Sequence, residues 1–294
     1  PAKTTKPVKR PQPQSAEPVL EPLPPRLPIP EPAVSSIAAP VAADTPAQPA
    51  PAVASEAIVQ DSAADTPAGE PKPAPATFIE SEYELRRQVN PGAEPGKIGI
   101  AHVSYKTDAS GRYSIKSVAE ATGIVSLFVS GRLRQESEGR ITENGLQPER
   151  FLYQYGDNEA KAQHAEFDWA EGVLQLRSAK GKSSVRLVPG TQDLLSFMYQ
   201  FMFTPPLEEM TLNVTNGKRL STYNYSFEGE EQIQTGLGEL KTMHISKSAS
   251  DGKDRTDVWL AMDYQYIPVK IRKTEDNGSV IEEVVTRLST DLMK

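Results

Sequence analysis

A mainly β domain, built as a curved antiparallel sheet with one apolar helix on its concave face and preceded by a proline-rich tether, is the architecture this sequence predicts. Three observations predict it. From Phe78 onward apolar residues alternate with charged ones at period two, turn dipeptides recur at short intervals, and a single segment departs to helical spacing.

The tether comes first in the chain. Of 26 prolines, 19 lie in residues 1–76, and every aromatic residue lies at Phe78 or later. Such a segment cannot bury enough apolar surface to offset the backbone entropy of folding. Residues 1–76 are expected to be a disordered, polyproline-like tether and 78–294 a β-rich globular domain long enough for one sizeable core. At ~3.1 Å per residue in polyproline II, the tether reaches at most roughly 240 Å, against ~50 Å for a flexible coil. No run of residues approaches the ~20 apolar positions needed to span a bilayer. The sequence opens on Pro1, and a leader or membrane anchor preceding it is expected. Lys3, Lys6, Lys9 and Arg10 would flank that anchor, or else belong to an ordinary solvated tail. The net charge of −7 is spread over both parts, which excludes the basic footprint of a nucleic-acid binder. The absence of cysteine excludes disulfide and thiolate chemistry.

The strands follow from alternation. Ile79, Tyr83 and Leu85 face away from Glu80, Glu82 and Glu84, which makes this stretch the edge strand or first strand of the sheet. Tyr113 and Ile115 oppose Arg112, Ser114 and Lys116. Tyr223, Tyr225 and Phe227 share a face, and Val269 and Ile271 alternate with Lys270 and Arg272. One apolar and one wet face per strand imply an antiparallel sheet with a single covered face, of about ten strands. Asn216-Gly217 and Asn277-Gly278 are the strongest hairpin signals, with Ser110-Gly111 and Lys180-Gly181 beside them; Gly236-Leu237-Gly238 supplies a further tight turn.

Residues 191–203, TQDLLSFMYQFMF, break the pattern. Leu194, Met198, Phe201 and Met202 form a helical stripe, Thr191 suits the cap, Asp193 the first turn, and Pro205-Pro206 the stop. A helix of ~13 residues is about 20 Å long, enough to cover a sheet.

The catalytic inventory is poor. There is no nucleophile elbow, P-loop, zincin or dinucleotide signature. His164, Glu166 and Asp168 would share one strand face, opposite Ala165, Phe167 and Trp169, so the trio is expected on the solvent side rather than around a metal. The pairs Glu208-Glu209, Glu230-Glu231 and Glu282-Glu283 would point to opposite faces and read as surface charge. Arg132, Arg134 and Arg140, interleaved with Glu136 and Glu138, read as a self-compensated wet face. The remaining candidate is apolar: Phe197, Met198, Phe201 and Met202, with Tyr225 and Trp259 from strands, would line either a cleft for an acyl chain or an ordinary core.

Five stretches together resemble a bacterial envelope family, domain of unknown function 3108. They are Gly145-Leu146-Gln147-Pro148, FDWAEG (167–172), QDLLSFMYQ (192–200), GEEQIQTGLGELKT (229–242) and VWLAMDYQYIPVKIR (258–272). The tether in turn resembles the proline-rich spacer of TonB-type proteins. The resemblance implies a fold similar to the LolA/LolB half-barrel and a place in the Gram-negative periplasm, tethered to the inner membrane. It carries no catalytic residues, cofactor or metal. It supplies no mechanism; the function expected for such a half-barrel with an apolar interior is non-enzymatic binding of a hydrophobic or acyl-bearing envelope component, with a lipid or lipoprotein as partner. The alternative is a structural adaptor that contacts an envelope protein or glycan.

Overall fold

The computed structural model describes residues 74–127, 131–248 and 255–292. The greater part of the expected tether lies outside them. Fifteen strands form one sheet: β1 (Phe78–Gln88), β2 (Gly96–Thr107), β3 (Arg112–Ala121), β4 (Arg132–Thr142), β5 (Gly145–Tyr155), β6 (Gln163–Asp168), β7 (Val173–Ser178), β8 (Gly181–Arg186), β9 (Gln192–Asp193), then, after the short helix α1 (Ser196–Gln200), β10 (Glu209–Thr215), β11 (Leu220–Thr235), β12 (Gly238–Ser248), β13 (Arg255–Ala261), β14 (Ile267–Thr274) and β15 (Val280–Thr290). The spatial order runs β8 to β1, then β15 back to β9, so every neighbour is a sequence neighbour except the β1–β15 pair. The pairs are antiparallel apart from β9 with β10. All four hairpin dipeptides fall between paired strands, at the β2–β3, β7–β8, β10–β11 and β14–β15 turns.

The sequence reading changes in several features, the first being that the sheet has fifteen strands where about ten were expected. β1 is not an edge but the middle strand, laddered to β2 and to β15 along nearly its whole length. The sheet is also covered on both faces around β13, whose residues 257–261 are all buried. The second cover is the β11–β12 hairpin. Its tip folds back so that the Gly236 N–H donates to the Val285 carbonyl at 2.9 Å. Ile233 and Leu237 pack there against a cluster that includes Tyr83, Leu240, Trp259 and Val285. A Cβ on Gly236 would come within 2.6 Å of the Thr286 Cα, so only glycine allows this approach.

Register shifts at Glu82/Tyr83, Leu85/Arg86, Glu138/Gly139, Phe227/Gly229 and Trp259/Leu260 bend the strands. They also end one alternation early: Tyr223 and Tyr225 pack into the core, whereas Phe227, at the bulge, is 38 % exposed. With this curvature the Asn216-Gly217 turn comes to lie against Gln163 at the start of β6, where a Cβ on Gly217 would meet the Gln163 carbonyl carbon at 2.9 Å. The two arms of the sheet thus approach each other around an interior. The contacts of this body reach back to Ala74, whose carbonyl accepts from Gln265, and to Ala76, which is buried in the core.

The expected thirteen-residue helix is five residues long. Gln192 and Asp193 instead add a short parallel strand beside β10. Thr191 is not a helix cap; its hydroxyl donates to the Val188 carbonyl. Asp193 caps in its place, its Oδ1 accepting from the Leu195 and Ser196 N–H groups, both at 2.9 Å. Of the stripe read from the sequence, Phe201 and Met202 are buried, whereas Leu194 and Met198 are only half-buried; Leu195, Phe197 and Tyr199 beside them are interior.

Candidate functional site

Residues 191–203 cross the interior and are pinned at both ends. Gln192 Nε2 donates to the Leu146 carbonyl (2.9 Å), and Gln200 Oε1 accepts from the Leu146 N–H (2.7 Å) while its Nε2 donates to Asn144 (2.7 Å). Trp169 Nε1 donates to the Pro148 carbonyl at 2.7 Å. Three of the five stretches that carry the family resemblance therefore meet at Leu146–Pro148. Beneath them Ser137 donates to Asp193 Oδ2 at 2.6 Å, which leaves Tyr113 to donate to Ser137 at 3.1 Å. Burial pushes Asp193 up to about 6, although hydrogen bonds from Ser137, Ser196 and Leu195 favour its charged form.

The six apolar residues expected to share a cleft do not all meet. Phe197, Phe201 and Tyr225 form one cluster with Val214, Ile245, Val258 and Leu260, with Met198 packed against it; the Phe197 ring lies 5.0 Å from Tyr225 and 5.5 Å from Phe201. Met202 belongs to a second cluster with Tyr105, Leu146 and Tyr199, where Tyr105 and Tyr199 stack at 5.5 Å. Trp259 belongs to the third cluster, toward the hairpin cover. Residues 191–203 divide two walls rather than lining one. Leu194 and Met198 touch both walls yet remain half-buried.

Charge enters this interior where the sequence reading placed surface. Arg86, Gln88, Arg272, Thr274, Val280 and Glu282 line a single outer cleft of about 210 Å³. Strand alternation turns Arg87, Lys273, Ile281 and Glu283 to the opposite, inner face, the side on which Ile271 packs against the Phe197 and Tyr225 cluster. The pair Glu282-Glu283 divides across the sheet as expected, but only Glu282 is outer charge. Burial alone would raise Glu282; Arg272 and Lys270, at 2.6 and 3.2 Å, pull it below the usual carboxylate range. Burial pushes Glu283 up, with no ion pair among the described residues, yet the side chain keeps part of its exposure. Arg87 Nε is buried and has no hydrogen-bond partner among them. Sequence reasoning missed both, although a signal existed: Arg87 continues the apolar phase of Tyr83 and Leu85, and Glu283 sits between Ile281 and Val285 in theirs.

A second polar cluster lies under the hairpin cover. His244 stacks on Trp259 at 4.3 Å, with Nδ1 2.7 Å from Glu231 Oε1 and Nε2 2.9 Å from Asp257 Oδ1. Trp259 Nε1 donates to Glu231 Oε2 at 2.8 Å, and this bond holds the Glu231 carboxyl below its ordinary range. Lys270 and Arg272 lie over the Trp259 ring. Glu231, exposed as expected of surface charge, is held by both His244 and Trp259 and anchors β11, and the last two family stretches meet here. These groups are bonded to one another, which suits a clamp.

His164 and Glu166 share an outer cleft opposite buried Ala165 and Phe167, and burial, then the Arg177 charge, hold His164 below its usual value. Arg132, Arg134 and Arg140 pair with Glu120, Glu136 and Glu149. Among the described residues no group of three or more His, Asp or Glu could hold a metal ion, and no helix is long and apolar enough to cross a membrane.

The fold and site define a β-meander protein whose sheet wraps an apolar, part-open interior carrying inward charge. The chain belongs to the family described as Protein of unknown function (DUF3108), whose model matches residues 83–285. Solved structures similar to it include these two. One is a beta-barrel-like protein of domain of unknown function DUF1849 from Brucella abortus (9 % identity, 74 % of this chain and 99 % of that one, TM-score 0.49). The other is lipoprotein LppX from Mycobacterium tuberculosis (13 % identity, 71 % and 85 %, TM-score 0.26). No curated protein matches the chain.

Proposed function

We propose that this protein is a non-enzymatic binding domain of the periplasm, tethered to the inner membrane, that takes a hydrophobic or acyl-bearing envelope component into the interior of its half-barrel-like sheet. The observation that carries the reading is the partial exposure of Met198. This side chain packs against two core clusters and is still half-buried, as are Leu194, Leu85 and Ile271 on the same inner surface. A close-packed core would leave such positions sealed. Flexible methionine and aromatic rings suit irregular apolar ligands. The periplasmic placement rests on the family resemblance and the proline-rich composition of the tether.

Fluorescent fatty-acid binding to the full chain tests this. Met198→Trp, which adds bulk at this part-exposed position, is expected to lower probe affinity at least about tenfold with the melting temperature held or raised. Unchanged probe affinity with Trp in place would sink the reading.

A second reading, the structural adaptor, rests on an outer cleft of about 750 Å³ beneath the hairpin tip, lined by Glu80, Glu82, His102, Lys116, Leu237 and Arg287. Crosslinking in intact cells separates the two. A single protein partner captured through Lys116, with no lipid bound, would favour the adaptor.

A further inference from the structure

Resting on the interior-binding reading, we propose that Arg87, supported by Lys273 and Glu283, forms a subsite for the anionic head of the ligand. The occupant is then an acyl chain ending in a carboxylate or phosphate rather than a neutral lipid. Arg87 is the penultimate residue of β1, Lys273 the penultimate residue of β14 and Ile281 the second residue of β15. Ile281 pairs with both, so the two cations flank it on the inner face, roughly 10 Å apart at two strand spacings. They stand beside the 89–95 and 275–279 turns, at one end of the interior.

Deeper along the same face the lining is apolar, through Leu85 and Ile271 to the Phe197 and Tyr225 wall. A guanidinium cannot discharge itself by losing a proton, so a buried N–H with no acceptor is a standing cost that an incoming oxyanion removes. Lys273 is only loosely held by Glu275, at 3.7 Å, and Glu275 is itself bonded by Ser279. Glu283 lies one inner position from Ile281. In the protonated form that burial favours, it donates a hydrogen bond to an anionic head instead of repelling it.

The test uses the full chain with two fluorescent probes, a fatty acid and its methyl ester, and two competitors, lysophosphatidic acid and unlabelled fatty acid. The acid is expected to bind wild type about tenfold more tightly than the ester, and Arg87→Met to bring the acid down to the affinity of the ester while leaving the ester unchanged. Arg87→Lys should restore part of the preference. Lys273→Met gives the same comparison should Arg87→Met fail to fold by circular dichroism. Competition stronger than that of unlabelled fatty acid assigns the head as phosphate, and weaker competition as carboxylate. Equal binding of acid and ester to wild type overturns the subsite while leaving the apolar interior intact. Binding of no probe overturns the interior reading and the subsite with it.

Discussion

At Asp193 one carboxylate sets the geometry of the whole inserted segment, and its position has a pH consequence. Burial lifts it from the ordinary aspartate value of 3.8 to about 6. Between those values the folded chain holds a proton that the unfolded chain has released. The contribution is complete below pH ~4, falls as pH rises toward ~6 and is flat above, with a span on the order of 3 kcal/mol. Asp193→Asn keeps an acceptor for the Leu195 and Ser196 N–H groups and should flatten that slope in urea titrations across this window. Asp193→Ala strands those donors and should cost about 2–4 kcal/mol at any pH. An Asn variant with the wild-type slope would assign the pH dependence to another group. The residue scale is also where the sequence was least legible. Alternation correctly sent Glu282 and Glu283 to opposite faces, but one strand alone does not say which face the fold encloses. His244, Glu231 and Asp257 come from three strands, and nothing in their spacing signals that they meet.

Among the elements, strands and turns were readable because each depends on nearby residues: the period-two runs and the Asn-Gly turns fall where expected. Residues 191–203 were misread for an equally physical reason. Helical spacing reports which residues are buried, and here burial comes from two separate walls contacting a bent, mostly non-helical segment. Gln192 and Asp193 leave the helix because strand pairing with Val214 and Thr215 satisfies their backbone. The β11–β12 hairpin makes the complementary point, since its cover over β15 is invisible without the curl of the sheet. Gly236→Val should push its tip off Thr286 and destabilise the fold by about 2 kcal/mol or more. Hydrogen-exchange protection of the position-236 amide, lowered in the variant, would check this, and unchanged protection would refute it. His244→Phe keeps a ring over Trp259 but leaves Glu231 and Asp257 short of a partner, with an expected loss of about 1–3 kcal/mol by thermal denaturation.

For the molecule as a whole, the two ends of the body are fastened together. The Asp291 carboxylate accepts from the Thr77 N–H (2.9 Å) and hydroxyl (2.6 Å); burial alone would raise it, but these bonds pull it below its ordinary value. The stability this group adds is therefore present at neutral pH and is lost as pH falls through its lowered folded value. Asp291→Ala should lower the melting temperature modestly at pH 7, and the difference from wild type should vanish in strong acid. This fastening reinforces the β1–β15 ladder, which joins two meanders that otherwise pair only with their sequence neighbours. The order of assembly follows. Hairpins on either arm can form as the chain emerges, but the middle of the sheet waits for its final strand, and until Thr290 arrives β1 has one open edge. A chain lacking β15 would present two long unpaired ladders at its centre instead of a short edge at each end. Completion of this sheet is thus timed by residues 280–290.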